Sequence, residues 1–244
     1  MWIGDEMDEK KTTLFEHLQE LRRVIIISLL TLFLGMVISY AFLRNPLMTI
    51  VFNPIKQFGK ELVVIGVTEG FMVQLKIALI GGIAIASPII TWQVMGFILP
   101  AFYSHERKVF WISFCTSLIL FIAGIMFGYM LVLELGLRIL LFEFTEGLTV
   151  MISAGRYLSF FSSLLLPFGI IFQLPLAAYL LGRIGIVSAS KLRKKRSYVI
   201  LAIFLLAAVL SPGGDIVSQI LFALPMLLLY EVSILLTAIF GKKT

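Results

Sequence analysis

The sequence predicts an all-α integral membrane protein with six transmembrane helices, and its composition carries most of that prediction. Hydrophobic residues make up 60% of the 244 residues, and charged residues only 14%. The mean hydropathy is +1.04. Soluble domains carry about 25% charged and about 45–50% apolar residues, and a globule of this size has too little interior for more. The composition therefore excludes soluble enzymes, nucleic-acid-binding modules and disordered scaffolds.

Runs without charged residues place the spans, because about 20 apolar residues cross a hydrocarbon core roughly 30 Å thick. They predict one membrane domain over 1–244, with spans at 24–43, 71–95, 109–133, 157–182, 197–210 and 217–238. Pro212 and Gly213 end the fifth helix early, which leaves 14 residues, or roughly 21 Å. We therefore expect the last two helices to be short and the bilayer to thin beside them.

Basic residues predict the orientation of the chain. With the N-terminus inside, the inner segments hold 14 Lys and Arg residues and the outer segments hold 5. Since cytoplasmic loops are enriched in Lys and Arg, both termini are predicted to be cytoplasmic. The acidic N-terminus resembles neither a cleavable signal nor an organellar transit peptide, which favours a prokaryotic inner membrane. The two long outer loops, 45–69 and 134–156, have room for short helices.

The segment before the first span predicts a cytoplasmic amphipathic helix over 12–23. Thr13 and Glu16 have the spacing of a capping box, which marks a helix start. Glu16 and Glu20 lie one turn apart on the polar face of this helix. From spacing alone, the favoured interpretation is that Glu20 pairs with Arg23 three residues later.

The first inner loop, 97–108, combines aromatic residues with a carboxylate. Ser104 could cap the third span and Glu106 could occupy its first turn, where a carboxylate suits the helix dipole. Phe97, Phe102 and Tyr103 add an apolar ledge beside that charge. The combination also suits a cationic peptide with an apolar flank.

Four motifs along the chain carry a family resemblance. They read E-H-L-x-E-L-R from residue 16, F-I-x-P-A-x-Y-x-H-E-R from residue 97, L-R-K-K-R from residue 192 and S-P-x-x-D-x-x-S-Q from residue 211. In this order they closely resemble the TatC family, the polytopic receptors of the twin-arginine protein translocase. The resemblance extends from Leu14 to Phe240 and implies a concave, glove-like bundle.

The resemblance implies roles for individual residues. Glu20 and Glu106 match the glutamates that recognise the paired arginines of a signal peptide, and two guanidinium groups suit two carboxylates. The same surface is expected to include Arg22, Phe97, Pro100 and Tyr103. Other positions that the family uses, which we assign to partner contact, are Pro54, Asp215 and Gln219.

Gln173 departs from the family pattern. Many members have F-x-x-x-F-E-x-P in the fourth span, whereas this chain has glutamine before Leu174 and Pro175. The amide keeps the hydrogen-bonding shape but cannot ionise. Gln173 is expected to face other helices or a partner's span; alternatively, it bonds a carbonyl freed by Pro175.

The leading functional hypothesis is a receptor and assembly core for the export of folded proteins, without catalysis, cofactor or metal. The resemblance implies TatA- and TatB-type single-span partners, twin-arginine signal peptides as ligands, and self-association within a complex driven by the proton-motive force. Membrane lipids are the other expected contacts, and nucleic acid is not expected.

A proton-coupled secondary transporter of a small solute is the first alternative. It would need charged groups at the midplane, where the spans offer little more than Gln173. A membrane enzyme would need clustered His, Asp or Glu, which two histidines and few carboxylates do not provide.

Overall fold

A computed structural model describes residues 3–98, 107–143, 150–210 and 216–241, and these are almost entirely helical. The chain divides into two compact units, each built from two separate stretches of sequence. The first unit comprises Met1–Arg44 and Ile77–Cys115, and the second comprises Asn45–Lys76 and Thr116–Thr244.

The described residues contain ten α-helices and two short strands. The helices are α1 (Ile3–Ile38), α2 (Arg44–Gln57), α3 (Glu69–Ile98), α4 (Arg107–Phe127), α5 (Leu133–Arg138), α6 (Ala154–Ile171), α7 (Leu174–Arg183), α8 (Ala189–Lys194), α9 (Arg196–Leu210) and α10 (Ile216–Phe240). Strands β1 (Leu62–Val63) and β2 (Ile152–Ser153) pair in parallel, and Leu62 lies opposite Ile152. The strands join the two outer loops, a contact that the sequence did not predict.

Segments of π-helix connect several of these helices. The predicted amphipathic helix 12–23 is part of α1, which passes through a π-helical turn at Ser39–Leu43 into α2. Similar turns at Gly128–Val132 and Ile139–Glu143 flank α5. The first outer loop therefore begins as a continuation of the first membrane helix.

In the first unit, glycine allows α1 and α3 to approach closely. A Cβ atom added to Gly82 would lie 2.8 Å from the backbone nitrogen of Met36, and one added to Gly35 would lie 2.8 Å from the carbonyl oxygen of Gly82. Contacts this short exclude any side chain larger than hydrogen. Small residues serve the same purpose wherever membrane helices cross closely.

In the second unit, aromatic and aliphatic side chains form the core. Phe161, Phe168 and Phe222 are fully buried, and the Phe168 and Phe222 rings stack 6.0 Å apart. Helix α10 packs mainly against α7 and α9. Helix α6 begins at Ala154, directly after its N-cap Ser153, whose hydroxyl accepts a hydrogen bond from the Arg156 amide.

The described part of the chain contains five helical segments long and apolar enough to cross a membrane. They are Leu18–Gln57, Glu69–Ile98, Lys108–Phe142, Ala154–Arg183 and Gln219–Phe240. The remaining predicted span, the fifth (197–210), corresponds to α9, a shorter apolar helix. The prediction of an all-α membrane protein is confirmed.

The last two helices were both expected to be short, and only α9 is. Helix α9 has 15 residues, roughly 22 Å, which is shorter than a hydrocarbon core of about 30 Å. Helix α10 has 25 residues, or roughly 38 Å, so the expectation that both are short is wrong for α10. Pro225 lies inside α10 without ending it, and the helix continues to Phe240 just before Gly241. Neighbouring helices allow proline inside a membrane helix.

Candidate functional site

Two of the predicted signal-peptide residues lie on α1. Glu20 and Arg22 are both exposed, a short distance before the apolar part of the helix. Residues two positions apart on a helix point in different directions. The carboxylate and the guanidinium group therefore serve different parts of the surface around α1.

Phe97 lies at the C-terminal end of α3 and is half-buried. The other members of the predicted inner-loop surface, Pro100, Tyr103 and Glu106, fall outside the described residues, as does Asp215. The sequence places Pro100, Tyr103 and Glu106 between the end of α3 and the start of α4.

An aromatic cluster holds the ends of α3 and α4 that flank this inner loop. The ring of Trp92 lies 4.9 Å from Phe110, 5.4 Å from Trp111 and 5.4 Å from Phe114, with edge-to-face geometry in each case. Such pairs contribute beyond simple apolar burial. Sequence reasoning missed the cluster, although tryptophan near the end of a predicted span is a typical signal of the membrane interface.

Gln173 lies at the break between α6 and α7, and its amide is bound within this chain. Its Oε1 accepts from the Ser117 hydroxyl at 2.7 Å, and its Nε2 donates to the Ser117 carbonyl at 3.1 Å. Nε2 also donates to the Gly169 carbonyl at 3.4 Å, while the Gln173 backbone amide bonds Ile170 instead. The amide therefore faces α4 and also bonds a carbonyl of α6. That carbonyl belongs to Gly169, whereas Pro175 would free the carbonyl of Ile171, so this bond is not the one that the alternative describes.

Pro54 is buried inside α2, and a tyrosine bonds the carbonyl that it leaves without a helical partner. A proline within a helix removes the hydrogen bond to the carbonyl four residues earlier, in this case that of Ile50. The Tyr129 hydroxyl donates to the Ile50 carbonyl at 3.0 Å, and the Tyr157 hydroxyl donates to the Val51 carbonyl at 2.6 Å. Pro54 therefore shapes the first outer loop from its interior.

Glu69 joins the two outer loops, and sequence reasoning missed it. Its Oε1 accepts from the Ser153 hydroxyl and from the Gly155 amide at 2.7 Å. Its Oε2 accepts from the amides of Ile65 at 2.6 Å and Gly66 at 3.1 Å. Four donors on one carboxylate fix the start of α3 relative to the start of α6.

Polar contacts of the described residues join helices α9 and α10. Gln219, predicted for partner contact, donates from Nε2 to the Phe204 carbonyl on α9 at 2.9 Å. At the other end, Arg196 and Glu231 form an ion pair at 2.7 Å. The signals for these contacts in the sequence were the isolated polar residues Gln219 and Glu231 within an apolar run, and Arg196 at the end of a basic run. Among the described residues, no group of three or more His, Cys, Asp or Glu side chains is placed to hold a metal ion.

Comparison with known proteins identifies the family. The family model for "Sec-independent protein translocase protein (TatC)" matches residues 16–225, which is most of the chain. The chain belongs to the TatC family. The resemblance that the four sequence motifs carry is confirmed.

Individual TatC proteins match along nearly their whole length. The TatC of Carboxydothermus hydrogenoformans is 43% identical over 97% of each chain. The TatC of Aquifex aeolicus is 38% identical over 94% of this chain and 96% of its own. A crystal structure of the "Twin Arginine Translocase Receptor- TatC" superposes with a TM-score of 0.83 at 38% identity, covering 91% of this chain and 97% of the other.

Membership of the TatC family establishes the broad function. The protein is a multi-pass membrane component of Sec-independent protein translocation. It is a transport protein rather than an enzyme.

Proposed function

We propose that this TatC protein is the receptor and assembly core of a twin-arginine translocase. It binds the paired arginines of signal peptides on the cytoplasmic side of a prokaryotic inner membrane, where both of its termini lie. The observation that carries the proposal is the similarity to the solved twin-arginine translocase receptor, which extends over 91% of this chain.

The chemistry of the candidate residues supports binding of paired arginines. Glu20 and Glu106 each offer a carboxylate, which accepts two parallel hydrogen bonds from a planar guanidinium group. Glu20 is exposed on α1, and the half-buried Phe97 offers apolar surface for the residues beside the arginines. Lysine has the same charge but lacks the planar set of hydrogen-bond donors of a guanidinium group, so paired lysines should bind less tightly.

Export of a folded protein requires further subunits. Six helices of this size cannot enclose a path wide enough for a folded domain, so single-span TatA- and TatB-type partners and further copies of this chain complete the complex. The sequence contains no G-x-x-x-x-G-K-[ST] loop for nucleotide binding. The proton-motive force is therefore the proposed energy source, and the short α9 is where we expect the bilayer to be thinned.

The test is binding of a signal peptide to the purified full-length protein. The affinity of an R-R peptide is compared with that of an otherwise identical K-K peptide, for the unaltered protein and for Glu20→Gln and Glu106→Gln. Loss of one charged hydrogen bond costs about 1.5–3 kcal/mol, so each variant should bind about 10- to 150-fold more weakly. Glu134→Gln is the matched control, since Glu134 is exposed on the predicted outer side.

One result would contradict the receptor function, and a second would contradict the assignment of the two glutamates. One is equal affinity for the R-R and K-K peptides. The other is unchanged R-R affinity in both glutamate variants when their unfolding temperatures match that of the unaltered protein. The second result alone would leave the receptor function standing and remove Glu20 and Glu106 from the binding surface.

A further inference from the structure

The first outer loop encloses a groove, which we call the outer groove. Its volume is about 740 Å³, and it lies between α2, the segment 59–64 and the first turns of α3. Cavities of about 300–1,000 Å³ are typical of sites for small organic ligands. None of the residues assigned above to signal-peptide recognition lines this groove.

One side of the outer groove is apolar. Met48 and Phe52 line it from α2, and Val73, which is buried, lines it from α3. Met48, Phe52 and Lys56 follow one another at intervals of four, so they lie along one face of α2. The apolar side and the cationic end of the groove are therefore continuous along one helix.

The outer groove also has a cationic end, next to its apolar side. Lys56 is exposed and Lys60 is half-buried, and both line the groove. Neither ammonium group forms an ion pair with another described residue. Glu61 also lines the groove but is exposed, so the lining carries a net charge of +1. A half-buried cation that no described carboxylate pairs loses hydration, and a bound anion would compensate that loss.

We propose that the outer groove binds one anionic phospholipid. The phosphate lies between Lys56 and Lys60, and the upper part of an acyl chain lies against Met48, Phe52 and Val73. Val73 belongs to the predicted span 71–95, whereas both lysines lie outside every predicted span. The groove thus has the polarity of a lipid, with the head group away from the span and the hydrocarbon beside it. A soluble anion would leave the apolar side unused.

The experiment is native mass spectrometry of the full-length protein titrated with phosphatidylglycerol or phosphatidylcholine. In Lys56→Gln/Lys60→Gln, retention of the tightest phosphatidylglycerol should weaken by about tenfold or more, since two lysines near a lipid head group are lost. Gly70→Leu keeps the charges and fills the groove: Gly70 lines the groove, and a Cβ added there meets no atom within 4 Å. It should weaken phosphatidylglycerol binding similarly.

The matched control is Lys194→Gln/Lys195→Gln, which removes the same charge from exposed residues at the end of α8, outside the groove. This control should retain the tightest phosphatidylglycerol like the unaltered protein. Equal retention of phosphatidylcholine, or unchanged binding in both groove variants, would overturn the proposal. Displacement of phosphatidylglycerol by millimolar inorganic phosphate would identify a site for a soluble anion and would also overturn it.

Discussion

The region where the predicted outer loops 45–69 and 134–156 meet and the α9–α10 pair, both within the second unit, are stabilised in different ways. Where the loops meet, hydrogen bonds join residues far apart in sequence: Ser153 and Gly155 bond Glu69, and the buried Tyr157 bonds Val51. The parallel pairing of β1 and β2 adds main-chain bonds to the same region. These contacts are directional and fix the two outer loops in one arrangement.

Helix α9 depends much more on apolar contacts. It buries only Ile203 and Ala207 within the structure, while Leu201, Leu205 and Val209 are exposed. In a bilayer, apolar side chains gain little by leaving lipid for another helix. The difference indicates that hydrogen bonds hold the two outer loops, 45–69 and 134–156, in one arrangement, which we call the fixed frame. Helix α9 can exchange its neighbouring helices at little cost in free energy.

The largest effect is expected at Glu69. Glu69→Ala removes the acceptor of four hydrogen bonds, and the donors at Ser153 and Gly155 then lose their partner. The variant should show a marked fall in unfolding temperature, with faster proteolytic cleavage within 58–68. Both are measured on the purified protein in detergent. Glu61→Ala, an exposed glutamate of the same loop, is the control, and equal behaviour of the two variants would contradict the fixed frame.

A smaller effect is expected at the contact between Gln173 and Ser117. Gln173→Leu removes the hydrogen bond from the Ser117 hydroxyl and two hydrogen bonds to carbonyls, and should destabilise the protein by about 1–3 kcal/mol. Ser117→Ala should cost less. In a double-mutant cycle measured by denaturant unfolding, the two substitutions should couple by at least about 0.5 kcal/mol. Strict additivity would contradict an energetic coupling between the two side chains.

The smallest effect is expected at the ion pair of α9 and α10. The side chains of Arg196 and Glu231 are 48% and 46% exposed, and such pairs contribute about 0.2–1 kcal/mol. Glu231→Gln should therefore lower stability by no more than this, and the difference should shrink at high salt. Unfolding at low and high ionic strength measures it. A loss of unfolding free energy as large as that of Gln173→Leu would show that α9 is held by strong polar contacts, as the outer loops are.

The sequence predicts the helices well because charge-free apolar runs directly reflect the thickness of a bilayer. It could not predict that the first span passes through a π-helical turn into α2, since no residue in Ser39–Leu43 marks such a turn. It also placed α10 among the short helices, because Pro212 and Gly213 mark where a connection lies but not how far the following helix extends.

The candidate site was predictable to a different degree. The motifs predict Glu20, Arg22 and Phe97 as site residues by position, which stays a prediction, and the family they indicate is confirmed. The hydrogen-bond partners of the polar residues were not predictable. Ser117 and Gln173 are 56 residues apart, and Glu69 and Ser153 are 84 apart. Such pairs form only when helices pack together, and a single sequence has no local pattern that encodes the packing.

The most direct test of the central claim is to map where the paired arginines bind. A signal peptide with a photoreactive group beside its R-R pair is bound to the full-length protein and crosslinked, and the adducts are located by mass spectrometry. The account predicts adducts within 16–23 and 97–108, with yields that fall sharply for the K-K peptide. Adducts confined to the outer loops 45–69 and 134–156, or equal yields for both peptides, would contradict it.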